Sequence, residues 1–289
     1  MKVQALFDSG TVKIPEDRFF FRPLSTEVAF AGAIDGVSGL YIPSEGPKLF
    51  FGRLSGGQMV ADTVVQTFFT AAKIESLEEI ILRANIMVRE IQLAGGVPLE
   101  RSDLLAGAAF VVAKIEEEII EILQAGDCFA CWELCDGSIG TTQNQVYQHD
   151  MQNLKTIEKL MKKYKGDRIR MWKEFSPVLV KRRCAHVNKR VRMGYGLFNG
   201  QQELEDCWQK ITLPRDRVDI LILASDGLIH YPKSGPTLND MLALAQEVLE
   251  GFQKGSLETV LTETRRAEEK EKEKSHIDHA EASALAIEF

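Results

Sequence analysis

The sequence predicts an α+β protein in which antiparallel strands are flanked by pairs of helices. Three observations carry that expectation. Two long apolar runs, 28–36 and 219–227, have the character of strands covered on both faces, and each ends on Asp-Gly. Apolar residues at helical spacing recur in two pairs of segments, 59–94 and 238–270. Between these pairs lies a block of short apolar segments joined by Asp and Gly turns, as in an antiparallel sheet.

Taken in order, Lys2-Val3-Gln4-Ala5-Leu6-Phe7 reads as a first strand. Glu16 and Asp17 then stand directly before the aromatic run Phe19-Phe20-Phe21. They either form a polar turn that opens a strand or face the same site as Asp35. The run 28–36 leads into Asp35-Gly36-Val37-Ser38-Gly39 and a loop rich in Pro, Gly and Ser to about residue 50. Leu54-Ser55-Gly56-Gly57-Gln58 spells the signature of ABC-type ATPases. The chain has no phosphate loop ending in Gly-Lys-Ser/Thr, so the match is coincidental. Gly56-Gly57 nevertheless opens a helix whose first amides could hold an anion.

Helices are expected at 59–72 and 77–94, the second stopped by Gly95-Gly96. Strands follow at 104–113, 119–125 and 128–134, with Ala125-Gly126-Asp127 as a tight corner. The small residues Ala106, Gly107, Ala108 and Ala109 suggest close backbone packing. Residues 151–193 differ in kind: a helical segment at 154–164 gives way to a strongly basic stretch that includes Lys162, Lys163, Arg168, Arg170, Arg182 and Arg183. Such a run is either a solvated surface or a patch for an anionic partner such as a phosphorylated segment. Gly194-Tyr195-Gly196 is followed by no helix and is not read as a dinucleotide loop. A strand at 208–213, the run 219–227, helices at 238–252 and 257–270 and a last strand at 282–289 complete the chain, the last introduced by His276-Ile277-Asp278-His279.

The 289 residues suffice for one large domain, and the net charge of -7 argues against a dedicated nucleic-acid binder. No apolar run is long enough to span a membrane, and no signal-peptide pattern precedes the first strand. With five cysteines, an odd number, reduced thiols in the cytoplasm are expected. Cys128 and Cys131 fall on opposite faces of a strand and read as buried thiols rather than metal ligands. Trp132, Trp172 and Trp208 read as packing residues.

An Asp at the tip of a buried strand costs desolvation unless its carboxylate meets a cation. Either Asp-Gly alone would pass as a turn, since the dipeptide favours one. Two such tips, relieved by glycines that admit close backbone approach, suggest oxygen ligands converging on a hard divalent metal.

The ordered landmarks Pro15-Glu16-Asp17, Asp35-Gly36-Val37-Ser38-Gly39, Ala125-Gly126-Asp127-Cys128, Ala224-Ser225-Asp226-Gly227-Leu228 and Asp278-His279 resemble those of the metal-dependent serine/threonine protein phosphatases, the type 2C family. That resemblance implies a four-layer α-β-β-α sandwich, two antiparallel sheets between helix pairs. It implies one catalytic domain over 1–289, with the basic segment at about 151–193 as a flap-like insertion near the substrate. Asp35 would bridge two manganese or magnesium ions, with the Gly36 carbonyl, Asp226 and Asp278 completing their shells. Asp127 matches the position for a weaker third ion. Glu16 and Asp17 would act through metal-bound water. The implied reaction is hydrolysis of phosphoserine or phosphothreonine in a protein substrate by a metal-activated water at a dinuclear centre. A catalytically silent domain that binds phosphoprotein and a small-molecule phosphatase are the alternatives.

The chain departs from the family pattern at several positions. Lys13 replaces the substrate-phosphate arginine expected ahead of Glu16, and it offers a point charge in place of a bidentate fork. Val37 replaces a frequent histidine, His230 a frequent aspartate, and Glu281 a small residue or threonine.

Overall fold

The computed structural model describes residues 1–39, 49–50, 52–230, 238–272 and 279–289. The first third of the chain forms strands β1 (Lys2–Asp8), β2 (Arg18–Pro23) and β3 (Ala29–Val37), a small pair β4 (Leu49–Phe50) and β5 (Leu54–Ser55), and helices α1 (Gly56–Thr70) and α2 (Leu77–Ala94). The middle forms β6 (Gly107–Ile115), β7 (Ile119–Ala125), β8 (Phe129–Leu134) and β9 (Ile139–Thr141), then helices α3 (Tyr147–Lys163) and α4 (Arg168–His186). The last third forms β10 (Gln209–Pro214), β11 (Val218–Ala224), α5 (Leu238–Lys254), α6 (Leu257–Lys272) and β12 (Ala282–Glu288).

Two five-stranded antiparallel sheets result, in the orders β1-β12-β11-β8-β9 and β10-β7-β6-β3-β2. Strands β3 and β6 show how sequence sets the layers. On β3 the alternate residues Ala29, Ala31 and Ala33 join Ala109, Val111 and Ala113 of β6 in the core between the sheets. The intervening Phe30 and Ile34 face the other way, with Phe110 and Val112, into a core shared with α1 and α2. Small inward residues let the sheets approach, and large outward ones fill the space beneath the helices. The second helix pair covers the other sheet: Leu244, Val248 and Leu257 pack on Phe129, Ile222 and Ala284. The expected sandwich with two helix-covered outer faces is therefore the observed architecture.

The expected segment boundaries hold closely for α2, β7 and β12. Helix α1 starts three residues before the expected 59, because Ser55 caps it in a reciprocal box with Gln58. The glycines at 56 and 57 carry no side chain from which a helical period could be read. The largest omission is α4. Its sequence hides a helix because only Met171 and Phe175 of its residues are buried and Pro177 interrupts the run. Together with Leu160 of α3 these two form a small apolar cluster separate from the sandwich cores. The basic stretch is thus a helical hairpin, with Asp167 accepting from the Arg170 amide to start its second arm.

Cys128 lies in the core between the sheets and Cys131 on the opposite face under α5, and both are free thiols. Trp132, Trp172 and Trp208 all pack in apolar clusters. Among the described residues no helix is long and apolar enough to cross a membrane.

Candidate metal centre

Three of the sequence-predicted acids meet at one end of the sandwich. Asp35 sits near the end of β3, opposite Ala109 of β6. Asp226 opens a short 3-10 turn that follows β11. Asp127 stands at the corner between β7 and β8, where Gly126 has a φ of +81° and a Cβ would come within 2.5 Å of the Ala109 side chain. Carboxylate oxygens of Asp35, Asp127 and Asp226 lie within 4.8 Å of one another.

Asp17, at the entrance to β2, closes the group. It is 3% exposed, and its Oδ2 is buried without a hydrogen-bond partner among the described residues. Burial pushes its carboxyl up to about 7, the Glu281 charge adds to the rise, and the Ser225 and Ser283 hydroxyls oppose it. Burial and the charges of Asp17, Asp127 and Asp226 hold Asp35 well above the usual carboxylate range. Asp226 is raised the same way, by burial and then by Asp127, Asp17 and Asp150. Asp127 is raised by burial, while its own backbone amide and Arg183 hold it back. Four crowded acids with raised proton affinity, Asp17 buried and the other three half-buried, form an arrangement that divalent charge relieves. The donors are all oxygen, and Asp17, with its orphaned buried oxygen, neighbours Asp35, so the residues fit magnesium or manganese better than zinc.

The frame around the acids is rigid. Asp226 is followed by Gly227 because a Cβ there would lie 1.6 Å from the Glu281 carbonyl oxygen. Ser225 and Ser283 lock β11 to β12 through two hydrogen bonds of 2.9 Å, one from the Ser225 amide to the Ser283 carbonyl and one from the Ser283 amide to the Ser225 hydroxyl. Gly36 has no room for a side chain either: the carbonyl oxygens of Glu16 and Gly57 lie 2.7 and 2.8 Å from where its Cβ would be.

Glu16, expected with Asp17 to act through metal-bound water, lies against Gly36, and its carboxylate is hydrogen-bonded. It accepts from the Ser38 and Ser55 hydroxyls and from the Ser38 amide at 3.2 Å. It lies against Gly57, whose Cβ would come within 2.5 Å of Glu16 Oε2. The anion at the start of α1 is therefore this chain's own glutamate. Lys13 is exposed on the segment ahead of Glu16. Asp278 and His276 lie outside the described residues. His279 bonds through Nδ1 to Glu268 at 2.6 Å.

Three further residues, of which only Arg183 falls in the segment that the sequence places near the substrate, belong to the surroundings of the site. Glu281 accepts from the amides of Glu16 and Asp17, at 2.7 and 3.0 Å, and so fixes the backbone that carries the acid pair. Asp150, in the first turn of α3, faces Asp127 and is pushed up to about 7 by burial and by that charge. Arg183, on α4, faces Asp127 as well. The unusual Glu281 was visible as a departure from the family pattern. Arg183 was visible only as one of many cations in the basic run, and Asp150 reaches the site through the tertiary placement of the hairpin, which leaves no local signal.

No protein-family model matches the sequence, and no curated protein matches it. Solved structures do match the fold. The serine/threonine phosphatase Stp1 from Staphylococcus aureus aligns with 100% of this chain and 94% of its own at a TM-score of 0.57 and 14% identity. The serine/threonine phosphatase PstP from Mycobacterium tuberculosis aligns with 100% of this chain and 98% of its own at 0.54 and 13% identity. Serine-threonine phosphatase 2C from Toxoplasma gondii aligns with 99% and 94% at 0.50 and 14% identity. The chain has the type 2C phosphatase fold over its whole length.

Proposed function

We propose that this chain is a metal-dependent protein phosphatase acting on phosphoserine or phosphothreonine. The observation that carries the reading is the convergence of Asp35, Asp127 and Asp226 within 4.8 Å, on a fold shared with serine/threonine phosphatases. Asp35, the Gly36 carbonyl, Asp226 and Asp278 would hold two manganese or magnesium ions, and Asp127 a weaker third. Bound there, hard cations lower the pKa of water and neutralise the oxygens of a phosphoryl group during in-line displacement.

The chain's own groups then have separable tasks. Asp17, its backbone amide bonded to the Glu281 carboxylate, presents a buried acceptor oxygen that can orient or deprotonate a water at the cluster. Glu16 ties Ser38 and Ser55 together, which seats the start of α1 against the strand end that carries Asp35. Lys13 is the cation that the family pattern would assign to the substrate phosphate.

Phosphate release from a phosphothreonine peptide, with and without manganese, tests the reading in wild type and Asp226→Asn. Metal-dependent turnover lost in the variant is the expected result. Manganese binding without turnover would favour a silent phosphoprotein-binding domain. Turnover confined to sugar or nucleotide phosphates would favour a small-molecule enzyme. Absence of metal binding would leave the acids structural and overturn the proposal.

A further inference from the structure

The acid cluster does not lie open to solvent on every side. Between it and the helical hairpin is a cavity of about 200 Å³, bounded by Asp127 and Val37 on the sandwich side and by Asp150, Arg182, Arg183 and Tyr195 on the other. The cavity therefore brings carboxylates and two adjacent guanidinium groups to one space.

The state of those two groups is informative. Arg182 donates to neutral oxygens, Asn153 Oδ1 and Thr156 Oγ1. Arg183 is engaged by the Tyr195 hydroxyl and faces Asp127. The ion pairs of this region among the described residues are Lys163 with Glu174, Arg170 with Asp167 and Arg190 with Asp206, and none of them uses either arginine. Arg18, the arginine next to Asp17 in sequence, is committed to Asp62 at 2.6 Å. A guanidinium has five N–H donors, so one that borders a cavity and is bonded only to neutral oxygens keeps donors for an incoming anion.

We propose that Arg183 of the hairpin, with Arg182 beside it, receives the phosphoryl oxygens of the substrate across this cavity, a task for which Lys13 lacks the fork. The inference rests on the phosphatase reading and deepens it, because it gives the basic hairpin a stated role at the same site. The geometry also requires an order of events. Asp127 and Asp150 line the cavity, so an anion is repelled from its acid side until divalent cations cover that charge. Metal should therefore precede phosphate, and the arginines should affect anion binding while leaving metal binding intact.

Titration calorimetry of inorganic phosphate into the manganese-loaded protein reads the anion site directly, and kinetics on a phosphothreonine peptide read it in turnover. Arg183→Ala should weaken phosphate binding and raise KM about 10- to 100-fold, the size expected for a charge-assisted pair. Manganese should bind the variant no more weakly than wild type, and the melting temperature should stay at the wild-type value. Arg183→Lys keeps the charge without the fork and should recover part of the loss. If the alanine variant melts early, the lysine variant decides the matter by itself, through its phosphate affinity and KM relative to wild type.

The outcomes separate the two readings. Wild-type turnover with unchanged phosphate affinity and KM in both variants overturns the arginine assignment and leaves the phosphatase reading standing. Phosphate binding that depends on manganese and Arg183, without turnover, supports the assignment and rejects the enzyme. Absence of phosphate binding to the metal-loaded wild type overturns it.

Discussion

The acid end of the sandwich and the hairpin of α3 and α4 face the same cavity, yet they are built on opposite plans. The acids stand at the ends of strands with deeply buried interiors, and in the neighbouring β6 every residue is buried. The hairpin is held together by Leu160, Met171 and Phe175, and most of its surface is polar. The two plans divide the labour. Charges that repel one another must be placed by a frame too stiff to relax, whereas groups that admit a partner can sit on an element with a low cost of opening.

Removing a charge from the stiff side should have the largest effect. Asp35→Ala should bring manganese-dependent phosphate release down to background and abolish the rise in melting temperature that manganese produces in wild type. Without metal the variant should be no less stable than wild type, because a raised, repelled carboxyl has been deleted. Undiminished turnover in Asp35→Ala would mean that the acid cluster does not carry the reaction.

Next in size are effects on packing. Phe110 is fully buried beside Phe198, with ring centroids 4.5 Å apart, so Phe110→Ala should cost about 3–5 kcal/mol in denaturant unfolding. Phe175 is as buried, but its cluster is small and separate. Phe175→Ala should leave the main transition nearly where it is, speed amide exchange in the hairpin and raise KM. If both variants shift the main transition equally, the hairpin is part of the cooperative core. Gly227→Ala tests the frame itself. Its Cβ would meet the Glu281 carbonyl at 1.6 Å, so it should cost at least about 2 kcal/mol and weaken manganese binding with every carboxylate still present.

The same contrast explains what could be read from the sequence. Strand interiors and the acids at their tips announce themselves, since a run such as 219–227 is apolar through most of its length and then ends on Ser225-Asp226-Gly227. The order of those tips carried the fold, and it located candidate ligands wherever the strands themselves fix the residue. Glu16 and Asp17 are neighbours in sequence, and nothing local distinguishes the one that lies with Ser38 and Ser55 from the one buried beside Asp35. That separation is set by α1 arriving at Gly57 and by Glu281 arriving from the strand end far downstream. Helix α4 was illegible for a different reason: its anchors, Met171 and Phe175, are too few to impose a period on a basic, proline-containing segment.

The smallest expected effect concerns pH and again compares the two regions. His149 of α3 packs its ring 4.6 Å from that of His186 and 5.2 Å from that of Tyr195, and its Nε2 lies 2.7 Å from the Met193 carbonyl. Burial first, then the charges of His186 and Arg182, lower its pKa below the ordinary 6.5, and the Met193 carbonyl opposes the shift. The unfolded chain therefore binds more protons than the folded one just below pH 6.5, so this residue's contribution is complete above 6.5 and declines as the pH falls. Amide exchange in α3 and α4 should accelerate between about pH 7.5 and about pH 5.5 in wild type beyond the intrinsic change, and His149→Gln should remove the excess. The strands that carry the acids should show no such dependence on residue 149. An equal excess in both proteins would trace the pH sensitivity of the hairpin to another group, and an equal excess in the strands would mean that the two regions open as one.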